Sequence, residues 1–87
     1  MATDETKVLG KRIRKLREWF DFSQKYMAIQ LGITQSHYSK IERGELSISC
    51  RRMEQIANIF GTSVEELTNG RFAQLPFEKW YQVRLDF

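Results

Sequence analysis

The chain of 87 residues reads as an all-α protein. We expect a compact domain of five short helices over residues 1–70, followed by a short C-terminal extension over 71–87. Three observations predict this. Apolar residues recur at helical spacing through most of the chain. Ser or Thr stands before most of these apolar segments and Gly after them, the order that starts and stops helices. The single proline, Pro76, leaves residues 7–69 free to be helical.

The first helix is predicted from Asp4 or Glu5 to Phe20. Leu9, Ile13, Leu16 and Phe20 fall on one stripe, and Lys11, Arg12, Arg14, Lys15 and Arg17 crowd its other faces. Asp21 and Phe22 break the pattern. Ser23 is placed to cap a second helix, Gln24 to Leu31, with Met27, Ala28 and Leu31 inward. Gly32 stops it, because glycine accepts the left-handed conformation, and Ile33 plugs the corner. Thr34 caps a third helix, Gln35 to Glu42, with Tyr38 and Ile41 inward, and Gly44 ends it. Residues 45–49 form a loop in which Ile48 turns inward. Ser49 caps a fourth helix that runs to Phe60, with Met53, Ile56, Ala57 and Phe60 on one face and Gly61 at its end. Ser63-Val64-Glu65-Glu66 is a capping box that opens a short fifth helix, closed by Asn69-Gly70. Connections of a few residues hold such helices in one compact domain.

Composition narrows the function. Fourteen Lys and Arg against eleven Asp and Glu give a net charge of +3, and the isoelectric point near 9.2 makes the chain mildly basic. A nucleic-acid partner is compatible with that balance. A single cysteine, Cys50, excludes an internal disulfide framework and a Cys-based zinc site, and suits a reducing cytoplasm. The opening residues, MATDETK, carry no apolar run of a secretory signal. No stretch approaches the roughly 18 apolar residues of a membrane span, so no membrane partner is expected. One histidine and one cysteine, at 37 and 50, form no metal-ligand spacing or nucleophile motif, and there is no Gly-rich phosphate loop. No catalytic residue, metal or cofactor is therefore expected.

The informative segment is SQKYMAIQLGITQSHYSKIERG, residues 23–44. Two helices packed at a steep angle need a small residue at their contact, which Ala28 supplies. Gly32 provides the sharp turn, and Ile33, Tyr38 and Ile41 provide the apolar plugs. This is the spacing of a DNA-binding helix-turn-helix, here at about 23–43. Across residues 7–69 the chain resembles the phage-repressor and Cro family of bacterial helix-turn-helix regulators, also called the XRE family. The resemblance rests on Ile-Arg-Lys-Leu-Arg (13–17), Ser-Gln (23–24), Leu-Gly-Ile-Thr (31–34), Ser-Lys-Ile-Glu-Arg-Gly (39–44) and Ser-Val-Glu-Glu-Leu (63–67).

The third helix presents Gln35, Ser36, Ser39 and Lys40 outward, at a helix start poor in acid. Glutamine pairs bidentately with adenine, and serine with several base edges. The resemblance implies base reading at Gln35, Ser36 and Lys40, and base or phosphate contact at Ser39. It also implies that Gln24 bonds a phosphate and braces Gln35. Many relatives carry acids just after this glutamine; Lys25 and Tyr26 stand there instead and make the helix end more attractive to DNA. Thr34 and Arg43 join Gln24 and Lys25 as expected phosphate contacts. His37 and Tyr26 are open between phosphate contact and plain packing or solvation, as are Arg51 and Arg52 on the fourth helix. The resemblance further implies a partly buried salt bridge between Arg17 and Glu42.

The tail fits two periods. Leu75, Phe77, Tyr81, Val83, Leu85 and Phe87 alternate with polar residues as in a strand, whereas Phe77, Trp80, Tyr81 and Leu85 fit one helical face behind Pro76. Its aromatics suit completion of the domain's own core, homodimerisation, or a protein partner. The expected function is a cytoplasmic, nucleoid-associated transcription regulator of bacterial or phage origin, a repressor binding double-stranded DNA as a homodimer on a palindromic operator. The alternative is an antitoxin or protein-interaction module of the same fold that uses the aromatic tail.

Overall fold

The computed structural model describes residues 4–71, so the tail expectations for 72–87 fall outside the described residues. The described residues form five helices and no strand. They are α1 (Asp4–Trp19), α2 (Gln24–Leu31), α3 (Gln35–Glu42), α4 (Cys50–Phe60) and α5 (Val64–Asn69). Helix α1 packs on α3 and α5, α2 packs on α3 and α4, and α4 packs on α5. Ile13, Leu16, Met27, Ala28, Leu31, Tyr38, Ile41, Ile56, Ala57, Phe60 and Leu67 make one continuous core. Met53 and Ile48, expected inward, are only half-buried. No described helix is long and apolar enough to cross a membrane.

Local chemistry accounts for most helix boundaries. The side chains of Ser23, Thr34, Ser49 and Ser63 accept hydrogen bonds from the backbone N–H groups of Tyr26, His37, Arg52 and Glu66, at 2.9, 3.0, 3.1 and 3.0 Å. Each such cap is worth about 1 kcal/mol. Glu66 accepts in return from the Ser63 N–H at 3.2 Å, which completes the capping box. Gly32 holds φ +69 at the turn between α2 and α3, and the Ile33 N–H bonds back to the Ala28 carbonyl at 3.0 Å. Ala28 is 3% exposed, within the core that α2 and α3 share.

Helix α1 stops at Trp19, one residue short of the Phe20 expected from its apolar stripe. The reason is Asp21, which takes the left-handed conformation at φ 59, a place where aspartate is one of the few tolerated non-glycine residues. The turn leads into an aromatic cluster. Phe20 lies 5.5 Å from both Trp19 and Phe60, and Phe22 lies 4.5 Å from Tyr26, centroid to centroid. This cluster joins the ends of α1 and α4 to the start of α2.

Two arginines read from sequence as part of a basic surface cap remote helix ends instead. Arg12 of α1 donates from Nη1 to the carbonyls of Leu67 and Thr68 at 2.7 and 2.8 Å, covering the C-terminus of α5. Partial burial lowers its pKa. Arg52 of α4 donates from Nη1 to the Leu31 carbonyl at 3.0 Å, at the C-terminus of α2. Cations at helix C-termini are favourable because the orphan carbonyls there carry partial negative charge.

The crossing of α1 and α3 is closer still. A Cβ on Gly10 would stand 2.6 Å from the carbonyl oxygens of both Ile41 and Glu42, and one on Gly44 would stand 2.6 Å from the Lys7 Cα. Only hydrogen fits at either place, so these two glycines set how near α1 lies to the end of α3.

Candidate nucleic-acid interface

Helix α3 has two unlike ends. Its first turn is exposed: Thr34, Gln35, Ser36 and His37 all face solvent, as does Lys40 one turn later. No acid stands in the first turn of either α2 or α3. No acid of its own first turn therefore offsets the positive end of either helix dipole, an arrangement that favours phosphate. Gln35 and Ser36 are exposed and carry side chains of the kind that can pair with base edges. The Thr34 hydroxyl oxygen accepts from the His37 N–H, and its own proton is not used in that bond.

The far end of α3 is built around Glu42, which is 6% exposed. Its carboxylate receives Arg17 Nε at 2.6 Å and Arg17 Nη2 at 3.2 Å. It also receives the Tyr38 hydroxyl at 2.5 Å and Gln24 Nε2 at 3.1 Å. Arg17 spends a further donor on the Phe22 carbonyl at 2.8 Å. One buried carboxylate thus joins α1, the turn before α2, the first residue of α2, and α3. Burial is the main cause that pushes the Tyr38 hydroxyl's pKa well upward, and the neighbouring Glu42 charge adds to it. Tyr38 therefore stays a neutral donor. The Arg17 pKa is displaced upward: burial opposes the charge, and its hydrogen bonds and attraction to Glu42 outweigh that.

The site residues read from the sequence fall into distinct places. Gln35, Ser36 and Lys40 share the open face of α3, with Lys25 exposed at the start of α2. Gln24 differs from the expectation that it braces Gln35: its amide nitrogen reaches Glu42, at the opposite end of α3. The cause is the buried carboxylate, a stronger acceptor than a neutral amide oxygen. Ser39 is half-buried, and its hydroxyl accepts from Arg43 Nη1 at 2.7 Å. Arg43 is exposed and also pairs through Nε with Glu45 at 2.6 Å. That carboxylate's hydrogen bond raises the Arg43 pKa and lowers that of Glu45. Such a surface pair is weak and exchangeable.

The remaining open cases divide as well. Tyr26 packs its ring on Phe22 while staying 39% exposed. Arg51 is exposed, whereas Arg52 is committed to the Leu31 carbonyl. Sequence reasoning missed the parts that Tyr38 and Gln24 play at Glu42. The i,i+4 spacing of Tyr38 and Glu42 is a signal that could have found the first.

Comparison with known proteins agrees with this geometry. A family model described as Helix-turn-helix matches residues 13–67, from within α1 to within α5. The chain is 33% identical over 72 residues to an SPbeta prophage-derived uncharacterized HTH-type transcriptional regulator, YonR, of Bacillus subtilis (strain 168); the match covers 83% of this chain and 67% of that protein. It is 36% identical over 59 residues to the control protein C.MunI of Mycoplasma sp, covering 67% of this chain and 80% of that one. With its capped α2–turn–α3 unit inside the matched region, the chain belongs to the phage-repressor and Cro (XRE) family of helix-turn-helix DNA-binding transcription regulators.

Proposed function

We propose that the chain is a transcriptional repressor that binds a palindromic operator in duplex DNA as a homodimer, with the start of α3 in the major groove. Gln35, Ser36 and Lys40 read base edges, while Lys25, Thr34 and Arg43 hold phosphates. The observation that carries this reading is the division of α3: an acid-free, exposed first turn and a last turn locked on Glu42. A rigidly held helix with a free polar end suits direct readout. Ser39 serves by orienting Arg43, and Gln24 adds the helix-start N–H groups while its side chain steadies Glu42. One domain of this size makes few base contacts, whereas two copies read half-sites about one helical turn, near 34 Å, apart. Blocking of a promoter by occupancy then requires no further domain.

The test is selection of bound duplexes from a random pool at stated salt, repeated with Gln35→Ala. The wild type should return a two-fold symmetric site. The variant should lose about 1–3 kcal/mol and relax its preference at one base pair of each half-site. Recovery of no preferred sequence, or unchanged affinity and preference in the variant, would contradict the assignment.

A further inference from the structure

A largely apolar groove lies between the N-terminal half of α1, the loop before α4, the start of α4 and the end of α5. It has a volume of about 510 Å³ and is bounded by Val8, Leu9, Arg12, Ile48, Met53 and Thr68. Val8 stands 50% exposed in it, one of the few large apolar side chains of the described domain left open to water. Leu9 and Ile48 are only partly covered. We propose that residues 72–87 of this same chain fold back and fill this groove.

Two features on the page select that occupant. The first is where the described chain ends. Gly70 closes α5 so near Arg12 that an added Cβ would stand 3.0 Å from the Arg12 Nε, and Arg12 and Thr68 both line the groove. The chain therefore leaves the domain at the groove's rim. At about 3.3 Å per extended residue, Leu75 and Phe77 lie within easy reach of it. The second is composition. Residues 72–87 include Phe72, Leu75, Phe77, Trp80, Tyr81, Val83, Leu85 and Phe87. A few of these side chains suffice to fill a groove of this size. Tethering decides between this chain's segment and that of a second copy. A short connection gives an effective concentration in the millimolar range, above that of any free partner. The proposal is independent of what α3 contacts.

The experiment uses the full chain under native conditions and follows tryptic cleavage after Lys79 and Arg84, with helicity monitored by circular dichroism. Docking protects both sites relative to a synthetic peptide of residues 72–87. Val8→Glu places a carboxylate against the docked apolar segment and should speed cleavage about tenfold or more with helicity unchanged. Trp80→Ser, which lies outside the helical domain, should do the same and serves as arbiter if the Val8 variant unfolds. Protection must also be independent of protein concentration. Wild-type cleavage as fast as that of the peptide overturns the proposal, as does protection kept in both variants. Protection lost on dilution overturns it in favour of exchange between copies.

Discussion

Replacing Glu42 by alanine tests whether the far end of α3 is held as described. The side chain of Glu42 is 2% exposed and that of Arg17 is 13% exposed. Removing the carboxylate strips Arg17 of both its ionic contacts and leaves it the Phe22 carbonyl alone. It also orphans the buried Tyr38 hydroxyl and frees Gln24 Nε2. Breaking a buried pair on one side costs about 3–5 kcal/mol. Because Arg17 keeps one carbonyl, the lower end applies, about 3 kcal/mol. For a domain of this size that corresponds to a fall in Tm of roughly 12–24 °C. Urea denaturation followed by circular dichroism measures it, and a second arm adds Arg17→Met. Once the arginine is gone no charge is left unpaired, so the double variant should be less destabilised than the sum of the singles by about 1 kcal/mol or more. A loss below about 1 kcal/mol for Glu42→Ala, or strict additivity, would refute the account of Glu42 as the junction of these elements.

Three further outcomes follow. Gly10→Ala should destabilise by about 2–4 kcal/mol in the same denaturation assay, despite alanine's better helix propensity, because its methyl meets two backbone carbonyls that cannot move independently; a neutral or stabilising effect would mean that α1 and α3 separate freely. Tyr38 has a folded-state pKa above its ordinary 10.0, so its contribution is complete below pH 10 and is lost as pH rises beyond it, by up to about 1.4 kcal/mol per pH unit; Tyr38→Phe should cost about 1 kcal/mol at neutral pH and flatten that alkaline loss. Arg43→Ala should weaken binding to all duplexes alike and reduce the slope of log affinity against log salt by about 1 for each phosphate contact removed; an unchanged slope takes Arg43 out of the phosphate set.

How much of this was legible in the sequence depends on range. The starts of α2 to α5 were readable because a cap is a local bargain between Ser23, Thr34, Ser49 or Ser63 and an N–H three residues on. The open face of α3 was readable because its polar residues alternate with Tyr38 and Ile41 at helical period. Contacts across the chain were not. Arg12 meets Leu67 at a separation of 55 residues and Arg52 meets Leu31 at 21, and nothing near either arginine marks it apart from its solvated neighbours. No local signal marks Gly10, whose value lies in the α3 carbonyls that come to rest against it. Gln24 was read by its expected role on DNA, while in the folded chain the strongest acceptor within reach is the Glu42 carboxylate.

The unequal ends of α3 bear on how such a protein changes its target. Gln35, Ser36 and Lys40 are exposed, so exchanging them should shift stability by no more than about 0.5 kcal/mol. Tyr38, Ile41 and Glu42, a few residues along the same short helix, are all buried and admit no such freedom. If α3 reads bases as proposed, operator preference drifts by single substitutions, without compensating change elsewhere in the domain, while the helix that presents those residues is inherited unaltered.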